Sequence, residues 1–124
     1  MALDQNVSLV FDKINNAKKR SLHNQNVELI AATKTRNILQ IQTCYELGIS
    51  SIGENRIQEA EKKLKELPSF NYIKKRFIGH LQTNKVNKCL RLFDTIDSID
   101  TLKLAEKINS SSQSPQIECL IEIN

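Results

Sequence analysis

A primary amine closing an apolar strand is the first feature of this sequence that could do chemistry. Val27 to Ala32 is a short apolar run broken only by Glu28, and it ends in Thr33-Lys34-Thr35. α/β proteins place their ligand sites at the carboxyl ends of parallel strands. A lysine there can condense with an aldehyde once burial or a neighbouring cation lowers its pKa from about 10.4. Most strand-end lysines are simply solvated, so Lys34 alone does not decide between the two. Two further constellations fall at equivalent places downstream, Gly53-Glu54-Asn55-Arg56 and Ile78-Gly79-His80-Leu81-Gln82-Thr83-Asn84-Lys85. If each closes a strand, all three converge on one rim. Asn55 then reads as a helix cap or as a ligand contact, and His80 as a satisfied loop histidine or as part of the site. Gly53 and Gly79 read as places where backbone approaches a ligand or as turn glycines.

The elements that must position these residues alternate along the chain. Val7, Val10, Phe11, Ile14 and Ala17 recur at helical spacing and predict an amphipathic helix over about 4–22. After the first strand, Ile38, Ile41 and Tyr45 mark a helix that Gly48 is suited to end. Ile49 to Ile52 is a brief strand, followed by a helix carrying Ile57, Ala60, Leu64 and Leu67, with an Asn55–Gln58 capping box and Pro68 beyond its end. Arg76 to Gly79 starts a third strand and about 84–92 a helix. Asp94 to Ile99 is a fourth strand, Asp100 caps a helix with Leu104, Ala105 and Ile108, Ser110 to Pro115 is a polar loop, and Gln116 to Asn124 is a fifth strand. Strands alternating with helices imply parallel pairing with right-handed crossovers, hence an α/β chain; periodicity alone leaves an open sheet and a barrel both possible.

Composition bounds the partners. The 124 residues fit one domain, and 40% hydrophobic with 26% charged residues is the balance of a globular chain. Cys44, Cys89 and Cys119 lie far apart in apolar stretches and read as reduced core thiols of a cytoplasmic protein. No apolar run approaches the roughly 20 residues of a membrane helix, and the N-terminus lacks a signal-peptide pattern. The net charge of +4 has its densest cluster in Lys74-Lys75-Arg76, which reads as a solvated strand entry rather than a nucleic-acid patch, because no aromatic stacking platform accompanies it. Lys85, Lys88 and Arg91 likewise read as a solvated helix face.

Taken in order and spacing, Ala31-Ala32-Thr33-Lys34-Thr35, Gly53-Glu54-Asn55, Phe77 to Lys85 and the ending Ile121-Glu122-Ile123-Asn124 resemble the pyridoxal phosphate homeostasis protein family over essentially the whole chain. The resemblance implies a parallel (β/α)8 barrel of the TIM and alanine racemase N-terminal type, of which residues 1–124 would carry about the first five strands. It implies pyridoxal 5'-phosphate held as an internal aldimine on Lys34, with Asn55 beside the cofactor and His80 on the same rim. It further implies a non-catalytic role in the free B6 pool, serving pyridoxal phosphate-dependent enzymes. One departure is local: Lys75-Arg76 stands where the family commonly has Trp-His. The other is the missing second half, whose late strands hold the cofactor phosphate and pyridine nitrogen in the family. The fifth strand has no helix after it, so the sequence reads as incomplete, and the chain alone is expected to bind the cofactor weakly or not at all. Two rival readings remain. A racemase-like enzyme fragment would need a protonating tyrosine across the cofactor, and neither Tyr45 nor Tyr72 is placed for it. A half-barrel interaction module would pair its open edge with a second copy or with a separate chain.

Overall fold

The computed structural model describes residues 2–66, 72–111 and 117–124. Its elements run α1 (Ala2–Arg20), β1 (Ile30–Ala32), α2 (Ile38–Glu46), β2 (Ser51–Glu54), α3 (Ile57–Lys65), β3 (Lys74–Phe77), a single 3-10 turn (Thr83–Lys85), α4 (Val86–Leu92), β4 (Thr95–Ile99), α5 (Leu102–Ser111) and β5 (Glu118–Ile121). Leu67, Pro68 and most of the polar loop before β5 lie outside the described residues.

Local chemistry accounts for the helix boundaries. Asp4 in the first turn of α1 and Lys18, Lys19 and Arg20 in its last complement the helix dipole. The Asn37 side chain accepts the Gln40 N–H at 2.9 Å, and the Gln40 side chain accepts the Asn37 N–H at 3.0 Å, so a complete capping box opens α2. Gly48, at φ +103°, takes the left-handed position beyond that helix. The expected box at Asn55–Gln58 does not form: α3 opens at Ile57, its N-cap is Arg56, and no side chain caps it. Asn55 therefore lies one residue too early to cap. At α5 the cap is Thr101 rather than Asp100, its hydroxyl accepting the Leu104 N–H at 3.1 Å.

The five strands form one sheet in the order β1-β2-β3-β4-β5, every pair parallel. An order that never reverses places right-handed crossovers on one face, which is the winding of a (β/α) barrel; a doubly wound sheet would switch direction at a central strand. The helix side is apolar. Phe77 and its register partner Ile96 pack with Ala60 of α3, Val86 and Cys89 of α4, and Leu104 and Ile108 of α5. A second cluster joins Ile41 of α2, Ile52 of β2 and Ile73.

Side chains alternate across a strand, so Arg76 and its register neighbours Gly53 and Thr95 face the other way, and that inner face is polar. Arg76 is 5% exposed. Its Nη1 donates to both carboxylate oxygens of Asp97 at 3.1 Å, and its Nη2 lies 3.4 Å from Glu28 and 3.5 Å from Glu118. Thr95 Oγ1 donates to Asp97 at 2.8 Å, and the Ser51 hydroxyl donates to Glu28. Burial pulls the guanidinium pKa down, but Asp97, Glu28 and Glu118 more than offset it, and the net shift is upward. The solvated strand entry expected for Lys74-Lys75-Arg76 is thus corrected at Arg76, whose charge is buried among carboxylates from β4, β5 and the approach to β1. The cysteines divide similarly. Cys89 is the core thiol, which burial pushes up to about 12, whereas Cys44 is half-buried and Cys119 is exposed on β5. Among the described residues no helix is long and apolar enough to cross a membrane.

Candidate functional site

Thr33, Asn55 and the Gly79-His80 turn follow β1, β2 and β3, so parallel pairing carries all three to one rim. Thr33 N donates to Gly53 O at 2.9 Å and Ile78 N to Glu54 O at 2.9 Å, which joins the strand ends directly. Lys34 is exposed at this rim. It occupies the second position of a β-turn closed by Arg36 N donating to Thr33 O at 3.0 Å. The third position is Thr35, at φ +62°. Turns of this hand ordinarily place glycine or asparagine there, and a β-branched residue in the left-handed region is a genuine outlier.

The structure holds that turn from both sides. Thr33 is buried, its hydroxyl donates to the Glu54 carboxylate, and its carbonyl accepts from Lys63 Nζ at 2.6 Å. Lys63 also donates to Glu54 Oε2 at 2.9 Å, where Glu54 is 1% exposed, and lies 3.5 Å from Glu59. On the far side of Lys34, the Thr35 N–H donates to the Glu59 carboxylate. A left-handed conformation costs about 1–2 kcal/mol, and a hydrogen bond to a charged group contributes about 1.5–3 kcal/mol. Glu59 is therefore strong enough to offset the strain at Thr35. Sequence reading placed Glu54 in a rim motif without giving it a role and missed Glu59 and Lys63, to which their i,i+4 spacing on α3 is the one signal that could have pointed.

Glu59's carboxyl is held below the usual carboxylate range by the Thr35 N–H first, and then by Lys63 and Arg56. A depressed folded pKa means that its stabilisation is fully present above the unfolded value of 4.5 and is lost as pH falls through the folded one. The Thr35 amide shift in 1H–15N spectra should accordingly titrate with a midpoint below 4.5, and Glu59→Gln should abolish that titration. A midpoint at or above the ordinary glutamate value would refute the clamp.

Asn55 and His80 come together in one cleft of about 580 Å³, with Thr35, Arg56, Gln82 and Lys85 around them. Lys34 is not among the residues lining it, although its neighbour Thr35 is. His80 is 73% exposed, and its Nδ1 lies 3.7 Å from Asp100 Oδ2. Asn55 is half-buried, and its Oδ1 is fully enclosed without a hydrogen-bond partner. A buried polar atom left unpaired costs about 1–3 kcal/mol. The glycines serve chain-on-chain packing. A Cβ on Gly79 would meet Asn55 O at 2.1 Å, and one on Gly53 would meet Ile78 Cδ1 at 2.8 Å. The close approach is to the protein's own atoms at both positions. Of the cationic helix face, Lys88 ion-pairs with Glu61 at 3.1 Å and Lys85 is half-buried beside the cleft.

A singly wound parallel sheet with an amine-bearing turn on its carboxyl rim defines a barrel-type α/β protein. No family model matches the chain. The pyridoxal phosphate homeostasis protein of Haemophilus influenzae is 34% identical over 128 residues, covering 100% of this chain and 54% of its own. The chain thus spans about half the length of the curated relatives it matches. A crystal structure of an unknown protein from Bifidobacterium adolescentis superposes with a TM-score of 0.78 at 30% identity, over 94% of this chain and 58% of that one. PipY of Synechococcus elongatus, solved with pyridoxal phosphate bound, gives a TM-score of 0.64 at 33% identity, over 77% of this chain and 46% of its own. The chain belongs to the pyridoxal phosphate homeostasis protein family and corresponds to its N-terminal portion.

Proposed function

We propose that this chain supplies the amine-bearing half of a pyridoxal 5'-phosphate-binding rim in B6 homeostasis. In this reading Lys34 holds the cofactor aldehyde as a Schiff base and Asn55 and His80 flank it. The observation that carries the reading is the clamped Thr33-Lys34-Thr35-Arg36 turn at the carboxyl end of β1, within a chain related to a protein solved with that cofactor. The cofactor supplies an electrophilic aldehyde. Lys34 supplies a nucleophilic nitrogen, and Asn55 lines the neighbouring cleft. A binding role rather than turnover is supported by the tyrosines. Tyr45 and Tyr72 pack on each other with ring centroids 4.5 Å apart, and Tyr45 leans on the Ile41–Ile52 cluster on the helix side of the sheet. A racemase-like reading would take its protonating tyrosine from another domain, and neither of these two is placed at the rim to serve instead. We read the partners as the cofactor itself and the enzymes that draw on it, in the cytoplasm.

The test is covalent trapping with excess cofactor, which records even the weak binding expected of this chain alone because reduction makes each imine permanent. The Lys34 nitrogen adds to the aldehyde carbon, water leaves as the C=N bond forms, and borohydride delivers hydride to give a stable secondary amine. Peptide mass mapping should place the pyridoxyl group mainly on Lys34, and Lys34→Ala should remove that adduct while unfolding stability changes by no more than about 0.5 kcal/mol, as expected at an exposed site. Labelling spread evenly over the surface lysines would overturn the assignment.

A further inference from the structure

We infer that Glu54, Lys63 and Glu59 are positioning residues for the Lys34 amine: a buried acid–base pair on one side of the turn and a helix-borne carboxylate on the other fix where that amine is delivered. The inference rests on the reading of Lys34 as the reacting amine, and goes beyond it by assigning work to three residues that touch no ligand.

A lysine side chain has four rotatable bonds, so the direction in which it leaves the backbone governs how often its nitrogen reaches a given point. On the amino side that direction is set at Thr33. Its N–H, hydroxyl and carbonyl are all engaged, by Gly53 O, the Glu54 carboxylate and Lys63 Nζ respectively. On the carboxyl side it is set at Thr35, whose φ of +62° is sustained by the N–H donated to Glu59. Lys63 joins the two arms, lying 2.9 Å from Glu54 and 3.5 Å from Glu59. Because Lys63 and Glu59 belong to α3 while the turn follows β1, the second βα unit sets the geometry of the first. Sequence-distant residues at this density around one exposed lysine are hard to explain as stability alone, since a Gly or Asn in place of Thr35 would give the same turn without strain.

The full 124-residue chain is treated with pyridoxal 5'-phosphate and borohydride, and the labelling of Lys34 is read as a ratio to that of Lys103, a solvent-exposed lysine of α5. Glu59→Ala is expected to lower this ratio about tenfold, the equivalent of losing one hydrogen bond to a charged group. Glu59→Gln, which keeps an acceptor oxygen, is expected to restore most of it. In a Thr35→Gly background, where the left-handed turn is unstrained, the effect of Glu59→Ala should shrink to less than about threefold. Glu54→Gln tests the buried arm at constant shape. Circular dichroism melts on each variant separate positioning from folding: Glu59→Ala is expected to melt lower, having lost the hydrogen bond to Thr35, so labelling is compared at a temperature well below each variant's melt, where all are folded. If the wild-type chain shows no preference for Lys34, the functional reading itself fails. If it shows the preference and both Glu59→Ala and Glu54→Gln retain it, the functional reading stands and the positioning role is wrong.

Discussion

Gly79→Ala should destabilise the protein by at least about 3 kcal/mol, the upper end of ordinary overpacking costs, and by more than Gly53→Ala does. The new Cβ would lie 2.1 Å from Asn55 O, 2.6 Å from its Cα and 2.7 Å from its carbonyl carbon, all main-chain atoms that no rotamer change can move. Relief requires the β2 and β3 ends to separate, which breaks the rim that brings Asn55 beside His80. Gly53→Ala is the internal control. Its Cβ meets the flexible end of Ile78 at 2.8 Å, and a side-chain shift of a few tenths of an ångström costs nearer 1 kcal/mol. Urea unfolding of both variants reads the difference. Equal costs would mean that the Asn55 backbone is not held where the structure has it.

The second large effect is at Arg76. Arg76→Met should cost about 3–5 kcal/mol, the loss typical when one partner of a buried pair is removed and the other stays. What remains is Asp97, whose side chain is 10% exposed and would keep only the Thr95 hydroxyl. Glu28 and Glu118 are about half exposed and can turn to water, so they add little. Adding Asp97→Leu to Arg76→Met should therefore recover most of the loss, since an apolar pair of similar size commonly matches a buried ion pair. A double variant as unstable as the single one would show that Arg76 stabilises the sheet by packing and not by charge.

The architecture was readable because its signals are local. Helical spacing marked α1 to α5, and alternation with short apolar runs gave five parallel strands; their sequential order, which periodicity left open, is supplied by the sheet. Strand ends were less legible. Val27 and Glu28 look like β1 by hydropathy, yet the strand begins at Ile30, with Val27 exposed and Glu28 turned to Ser51 and Arg76. Asn37-Ile38-Leu39-Gln40 and Asn55-Arg56-Ile57-Gln58 present the same capping pattern, and only the first is used. At the second, contact with Gly79 fixes the Asn55 backbone, and the helix starts one residue later than the pattern requires. Arg76 and the cysteines failed for a related reason. A run of cations or a lone apolar-flanked thiol carries no mark of the carboxylates or solvent it will meet after strands pair. The candidate rim was legible as three motifs at equivalent repeat positions. The clamp around Lys34 was not, because a threonine at positive φ and a glutamate reaching it from two elements away leave no pattern in one dimension.

Each strand of this sheet hydrogen-bonds to the one made just before it, about twenty residues earlier along the chain. Among the described strands no β pairing has to wait for a distant segment, so loop closure costs little at each of these steps. A nascent polypeptide emerging from the ribosome could therefore zip up one βα unit at a time. In that sequence of events the β2–α3 unit that carries Glu54, Glu59 and Lys63 would lock the first turn before the third strand had emerged.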